Sequence, residues 1–155
     1  MAFRITGLSP EPFQPLFGLD EAALAARHIL RFTADGRPGF PDRIEMREAR
    51  AGETVLLLNH CCQPAPSPYR ATHAIYVREG AAERYDRVDE VPGIMRERLL
   101  SLRGFDDRGM IVDADVVEGR EIEGVIARLF AQPAVSYIHA HNAKRGCYSG
   151  RIDRA

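Results

Sequence analysis

The sequence predicts an α+β domain built on one mixed or mainly antiparallel sheet with about three helices on one side. Three observations carry this expectation. Short apolar runs bounded by glycine and proline recur along the chain and read as strands. Residues 119–132 instead repeat their apolar side chains at helical spacing. Residues 104–109, Gly-Phe-Asp-Asp-Arg-Gly, have the composition of a hairpin connection, which joins antiparallel neighbours. The 155 residues, 45% hydrophobic and 28% charged, suit a single globular domain spanning 1–155. A chain of that length buries about 70% of its unfolded surface, so a sizeable core forms without staples.

Taken in order, Phe3 and Ile5 alternate with polar neighbours as in a short strand, and the proline-rich Ser9–Gly18 is an irregular connection. Asp20 is a good N-cap for a helix carrying Ala22, Ala25, Ala26, Ile29 and Leu30, a segment with a tendency to turn extended near 28–34. Gly36–Pro41 marks a loop before Arg43–Met46. Glu53–His60 reads as a buried strand ending at His60, and the prolines 64, 66 and 68 make the next stretch an extended loop. Strand pattern resumes over 71–79. Pro92 suits the first turn of a short helix of two turns.

Residues 99–103 and 110–117 form the antiparallel pair. In the second strand Met110, Val112, Ala114 and Val116 share one face while Asp113 and Asp115 share the other, so the apolar face is expected beneath the helices and the aspartates in water. The clearest helix places Ile122, Val125, Ile126, Leu129 and Phe130 on one face and is stopped by Pro133. Residues 134–141 follow as a strand, and 142–154 form a turn leading into a final strand.

Charge excludes some functions. With 21 Lys+Arg against 22 Asp+Glu and a net charge of −1, no basic face is available for nucleic acid. No run approaches the ~18 apolar residues of a membrane span, and Met1–Pro10 has no signal-peptide stretch, so a cytoplasmic location is expected. The three cysteines, Cys61, Cys62 and Cys147, are an odd number and read as reduced thiols.

Chemistry concentrates near the end of the chain. On a strand, Tyr137, His139 and His141 point one way and Ile138 and Ala140 the other, so two imidazoles share a surface suited to proton transfer or ligand contact. Asn142, Arg145 and Cys147 come directly after. A nucleophilic arrangement would use Cys147 as thiolate, His139 or His141 as base and Asn142 to orient the ring. The bland alternative is a satisfied polar cluster fixing the last strand. His60, His73 and the cysteines show no diagnostic zinc spacing, so neither a metal nor another cofactor is expected. A second group, Tyr69, Arg70, His73 and Arg103 with Arg43 as a further candidate, has the forked donors that hold an anion.

At these residues the chain resembles the bacterial domain-of-unknown-function family twelve-oh-three. The resemblance rests on Gly39-Phe40-Pro41 with Arg43, Gly52-Glu53, Pro68-Tyr69-Arg70, Ser101-Leu102-Arg103, His139-Ala140-His141-Asn142-Ala143 with Gly146-Cys147, and Asp153-Arg154. Many members carry a cysteine where this chain has Asp42, a departure that counts against a metal site at that position. The family has no assigned activity. The resemblance therefore implies a small stand-alone domain and no particular reaction.

Two functional readings follow. In one, His139, His141 and Cys147 face a site, binding or catalytic, where Tyr69, Arg70, His73, Arg103 and Asn142 hold a small anionic molecule. In the other, the domain is a noncatalytic interaction or homodimer module with a structural polar cluster. Monomer and homodimer are both compatible with the sequence.

Overall fold

The computed structural model describes residues 1–155 and contains nine strands and three helices, an α+β fold whose strands form two antiparallel sheets. The strands are β1 (Phe3–Thr6), β2 (Leu30–Thr33), β3 (Thr54–Gln63), β4 (Ala71–Arg78), β5 (Asp86–Val88), β6 (Leu99–Phe105), β7 (Ile111–Glu118), β8 (Tyr137–Asn142) and β9 (Tyr148–Arg154). The helices are α1 (Glu21–Ala25), α2 (Gly93–Arg96) and α3 (Ile122–Phe130). The larger sheet runs β5-β1-β9-β8-β6-β7 and the smaller β2-β3-β4. The single sheet expected from the sequence is thus two, because β3 and β4 pair with β2 and not with β8 or β6.

Register decides which residues meet. Across β6 and β8, Leu102 lies opposite Ala140 while Arg103 lies opposite His139 and Ser101 opposite His141. One face of the larger sheet therefore carries Leu100, Leu102, Ile138 and Ala140, which join Ile122, Ile126, Leu129 and Phe130 of α3 in a cluster of 17 buried residues. The opposite face carries Ser101, Arg103, His139 and His141 and turns toward the smaller sheet. There Tyr148 of β9 packs with Leu58 and Cys62 of β3 and with Leu24 and Phe13 in a second cluster of 11 buried residues. The site lies where the two sheets face each other.

Local chemistry accounts for the helices. Asp20 caps α1, its carboxylate accepting from Ala23 N at 2.7 Å. The helix stops early because His28 takes a positive φ of 57°, after which the chain turns extended into β2. Pro92 stands at the N-cap of α2, which makes four residues and not two turns. β3 continues past His60 to Gln63, because a bulge between Cys61 and Gln63 absorbs the irregular step in its pairing with β4.

The faces of β7 are the reverse of the sequence expectation. Met110, Val112 and Val116 are exposed, whereas Asp113 and Asp115 lie on the α3 side and accept from Arg128 at 2.7 and 2.9 Å, with Gln132 donating to Asp113 at 2.7 Å. Alternation was right and polarity misled: α3 brings an arginine and an amide over this edge strand, so the carboxylates are satisfied beside the helix.

Candidate functional site

β8 sets Tyr137, His139 and His141 in a row on the inter-sheet face, while Ile138 and Ala140 are buried in the helix-side core. His139 and His141 are 3% and 2% exposed. Aromatic rings surround them: Tyr148 stands edge-on to His139 at 5.3 Å and to His141 at 5.8 Å, and Phe105 lies 5.1 Å from His139. Burial is the main reason both imidazoles are hard to protonate, with His139 pushed down to about 3 and His141 to about 4. The neighbouring charge of Arg103 lowers both further. His60 and His73 are also lowered, again by burial.

Their hydrogen bonding differs. His141 Nδ1 donates to Gly146 O at 2.9 Å, which fixes the ring as the tautomer with a free Nε2 lone pair. His139 Nδ1 is buried with no partner at all. His73 of β4 stacks edge-on to His141 at 4.9 Å, bridging the sheets. One ligand-capable atom from each of Cys62, His73 and His141 lies within 4.8 Å of the others. Cys62 and His73 are among the candidate ligands of the sequence that lack diagnostic zinc spacing; the bulge in β3 and the facing of the two sheets bring Cys62 to the histidines.

Cys147 ends the turn that leads into β9 and belongs to a different constellation. Its Sγ accepts from Arg43 Nη2 at 3.5 Å and from Asn142 Nδ2 at 3.4 Å, and neither His139 nor His141 hydrogen-bonds to it. Asn142 thus holds the thiol, where the sequence reading had it orienting an imidazole. Its own Oδ1 is buried without a partner. Arg43 is 2% exposed and is consumed internally, donating to Tyr148 O at 2.8 Å and Pro41 O at 2.6 Å as well as to the thiol. Burial without a carboxylate partner lowers its pKa from the usual arginine value. Asp42 is fully buried, accepting from Arg78 N at 2.8 Å and Glu45 N at 2.7 Å, so it anchors the loop.

A cleft of about 810 Å³ opens beside the thiol. Its walls are the Gly39–Pro41 loop, Leu57 of β3, His73, Ala74 and Tyr76 of β4, the α2–β6 junction at Glu97–Leu99, and the β8–β9 turn. Arg43, Arg98, Lys144 and Arg145 line it against the single carboxylate of Glu97. Arg98 is anchored by Glu48 and by Ile94 O at 2.8 Å, whereas no ion pair engages Lys144 or Arg145.

Of the residues singled out from sequence, His73, Asn142 and Cys147 line this cleft, while His139 and His141 lie outside it and deeper between the sheets. Arg103 adjoins the histidines and meets only Ser101 Oγ at 3.4 Å. Arg70 and Tyr69 are exposed on the proline loop, where Arg70 donates to Pro64 O at 2.5 Å and Tyr69 stands edge-on to Phe105 at 6.4 Å. Arg70 serves its own loop, because the prolines leave that carbonyl without a ladder partner. Sequence reading missed Arg98 and Lys144, whose positions at the cleft depend on the approach of α2 to the β8–β9 turn.

No curated protein and no solved structure matches the chain. The family described as Protein of unknown function (DUF1203) matches over residues 39–154, the stretch that supplies the cleft walls and both histidine strands. The chain belongs to that family.

Proposed function

We propose that the protein is a single-domain cytoplasmic binder of a small anionic molecule, held in the cleft between the Gly39–Pro41 loop and the β8–β9 turn. One observation carries the reading: four cationic side chains converge on a cavity that offers one carboxylate, and two of the four have no internal partner. A structural cluster would pair its charges. The volume falls within the ~300–1,000 Å³ of small-molecule sites.

The orphaned Oδ1 of Asn142 adds a requirement. A buried acceptor without a donor costs about 1–3 kcal/mol, and a turn of the Asn142 amide toward the cleft would let a ligand with a hydroxyl or ammonium donor beside its anionic group recover that cost. A hydroxylated carboxylate such as malate fits both demands better than succinate. Three unpaired thiols accord with a reducing compartment.

The test is a thermal-shift screen of malate, succinate and inorganic phosphate against chelator-treated wild type and a Lys144→Ala/Arg145→Ala variant treated alike. Lys144 and Arg145 are exposed and each charge is worth about 1 kcal/mol at contact, so the double variant should bind malate roughly 10–30-fold more weakly with little change in its own stability. Stabilisation that is absent in wild type, or equal in the variant, would refute the reading.

A further inference from the structure

The geometry points to a transition-metal site of the zinc class formed by Cys62, His73 and His141, with its fourth coordination position left to a non-protein ligand. The inference is separate from the anion reading and shares only His73 with it. Three donors from three strands, β3, β4 and β8, come within 4.8 Å of one another across the gap between the sheets. Tetrahedral zinc with sulfur at about 2.3 Å and nitrogen at about 2.0–2.1 Å sets its ligand atoms about 3.3–3.6 Å apart. A closure of roughly 1 Å, within reach of side-chain rotation, therefore completes the donor set.

The imidazole of His141 is already prepared. Gly146 O is an acceptor only, so Nδ1 carries the proton and Nε2 presents its lone pair, the outer-shell bond by which metal-binding histidines are oriented. Neutral imidazole is the form that coordinates a metal. Cys62 is 8% exposed, and its thiol points a weak bond at Ala71 O at 3.6 Å. On metal binding the S–H proton leaves to solvent as the sulfur–metal bond forms, and the resulting thiolate charge offsets part of the cation's. The opposing charges are the guanidiniums of Arg103, close to both histidines, and Arg43, which adjoins His141. An anion in the fourth position would balance them.

The adjacent cysteine and histidine serve as controls. His60 lies opposite His73 in the β3–β4 ladder and Cys61 opposite Thr72, yet neither joins the three-atom cluster. A mixture of soft thiolate and borderline imidazole donors selects zinc over magnesium or calcium.

Protein stripped with a chelator is titrated with Zn²⁺ alone in a calorimeter, and with Co²⁺ followed by absorption. Wild type should take up one equivalent of Zn²⁺ per chain and give a thiolate-to-cobalt charge-transfer band. Cys62→Ser should abolish that band, and His73→Ala should weaken Zn²⁺ by more than the roughly 10–100-fold that follows loss of an outer hydrogen bond. His60→Ala and Cys61→Ser should leave both readouts unchanged. His141 is buried, so its alanine variant is judged only if circular dichroism shows it folded, and the exposed edge of the site at His73 carries the test otherwise. Substoichiometric uptake by wild type, a band that survives Cys62→Ser, or uptake lost equally with His60→Ala would each overturn the site. Failure here leaves the anion reading intact, because malate binding is measured on chelated protein through Lys144 and Arg145.

Discussion

His139 allows the energetics of the inter-sheet cluster to be tested by a change of sign. Its ring is almost fully buried among Phe105, Tyr137 and Tyr148, and Nδ1 has no partner. An unsatisfied buried polar atom costs about 1–3 kcal/mol relative to an apolar group of the same shape. His139→Phe removes that cost and adds one ring atom, an overpacking penalty of about 1 kcal/mol. The net expectation is a gain of up to ~2 kcal/mol, or roughly 4–8 °C in Tm for a chain of this size. His139→Ala removes the same orphan but leaves a ring-sized hole, and should lose about 2–3 kcal/mol. Urea unfolding of chelated wild type and both variants, with m-values compared, measures the difference. If His139→Phe falls by more than about 1 kcal/mol alongside His139→Ala, the imidazole has a partner in solution and the orphan argument is wrong.

Further outcomes follow from other parts of the molecule. Glu53, held by Arg47 at 2.8 and 3.0 Å, has its carboxyl lowered to about 2, chiefly by those bonds. The unfolded chain takes up that proton first, so the contribution is complete above pH ~4.5 and drains away toward pH ~2. Arg47→Gln should flatten this acid limb in pH-dependent urea unfolding. A Cβ on Gly119 would stand 1.8 Å from Met95 O, whereas on Gly150 it would meet only the methionine tips of Met46 and Met95 at 2.6 and 2.7 Å. Gly119→Ala should therefore cost about 3 kcal/mol or more and Gly150→Ala about 1–2, read as midpoint shifts in denaturant. Thiol titration in denaturant with chelator and no reductant should return three thiols per chain, since Cys61, Cys62 and Cys147 are all unpaired; one thiol would reveal a disulfide.

The sequence disclosed local order well. α3 follows its apolar period, the β6–β7 hairpin closes where glycine and aspartate accumulate, and strand alternation puts His139 and His141 on one face with Ile138 and Ala140 on the other. It also carried a family resemblance over nearly the whole chain; the family match bears out the family and covers residues 39–154. Long-range placement was beyond it. Nothing in residues 54–78 says that β3 and β4 form a separate sheet facing β8, so the meeting of Cys62 and His73 with His141 was invisible. Alternation in β7 fixed two faces but could not say which one meets the helix, because Arg128 and Gln132 decide that from α3. Arg70 and Arg43 showed how chemistry-bearing residue types mislead: each spends its forked donors on backbone carbonyls of its own surroundings. Lys144, the only lysine in the chain, proved the more informative cation by lining the cleft unpaired.

The central claim is that the cleft beside Cys147 holds a small anion, and side-chain NMR tests it most directly. Malate is titrated into chelated ¹⁵N-labelled protein while the arginine Nε–H and asparagine amide signals are followed. Saturable shifts should concentrate on Arg98, Arg145 and the Asn142 amide, leaving the exposed Arg27 and Arg37 unmoved. Shifts that never saturate, or that touch Arg27 and Arg37 as strongly as the cleft residues, would contradict the account.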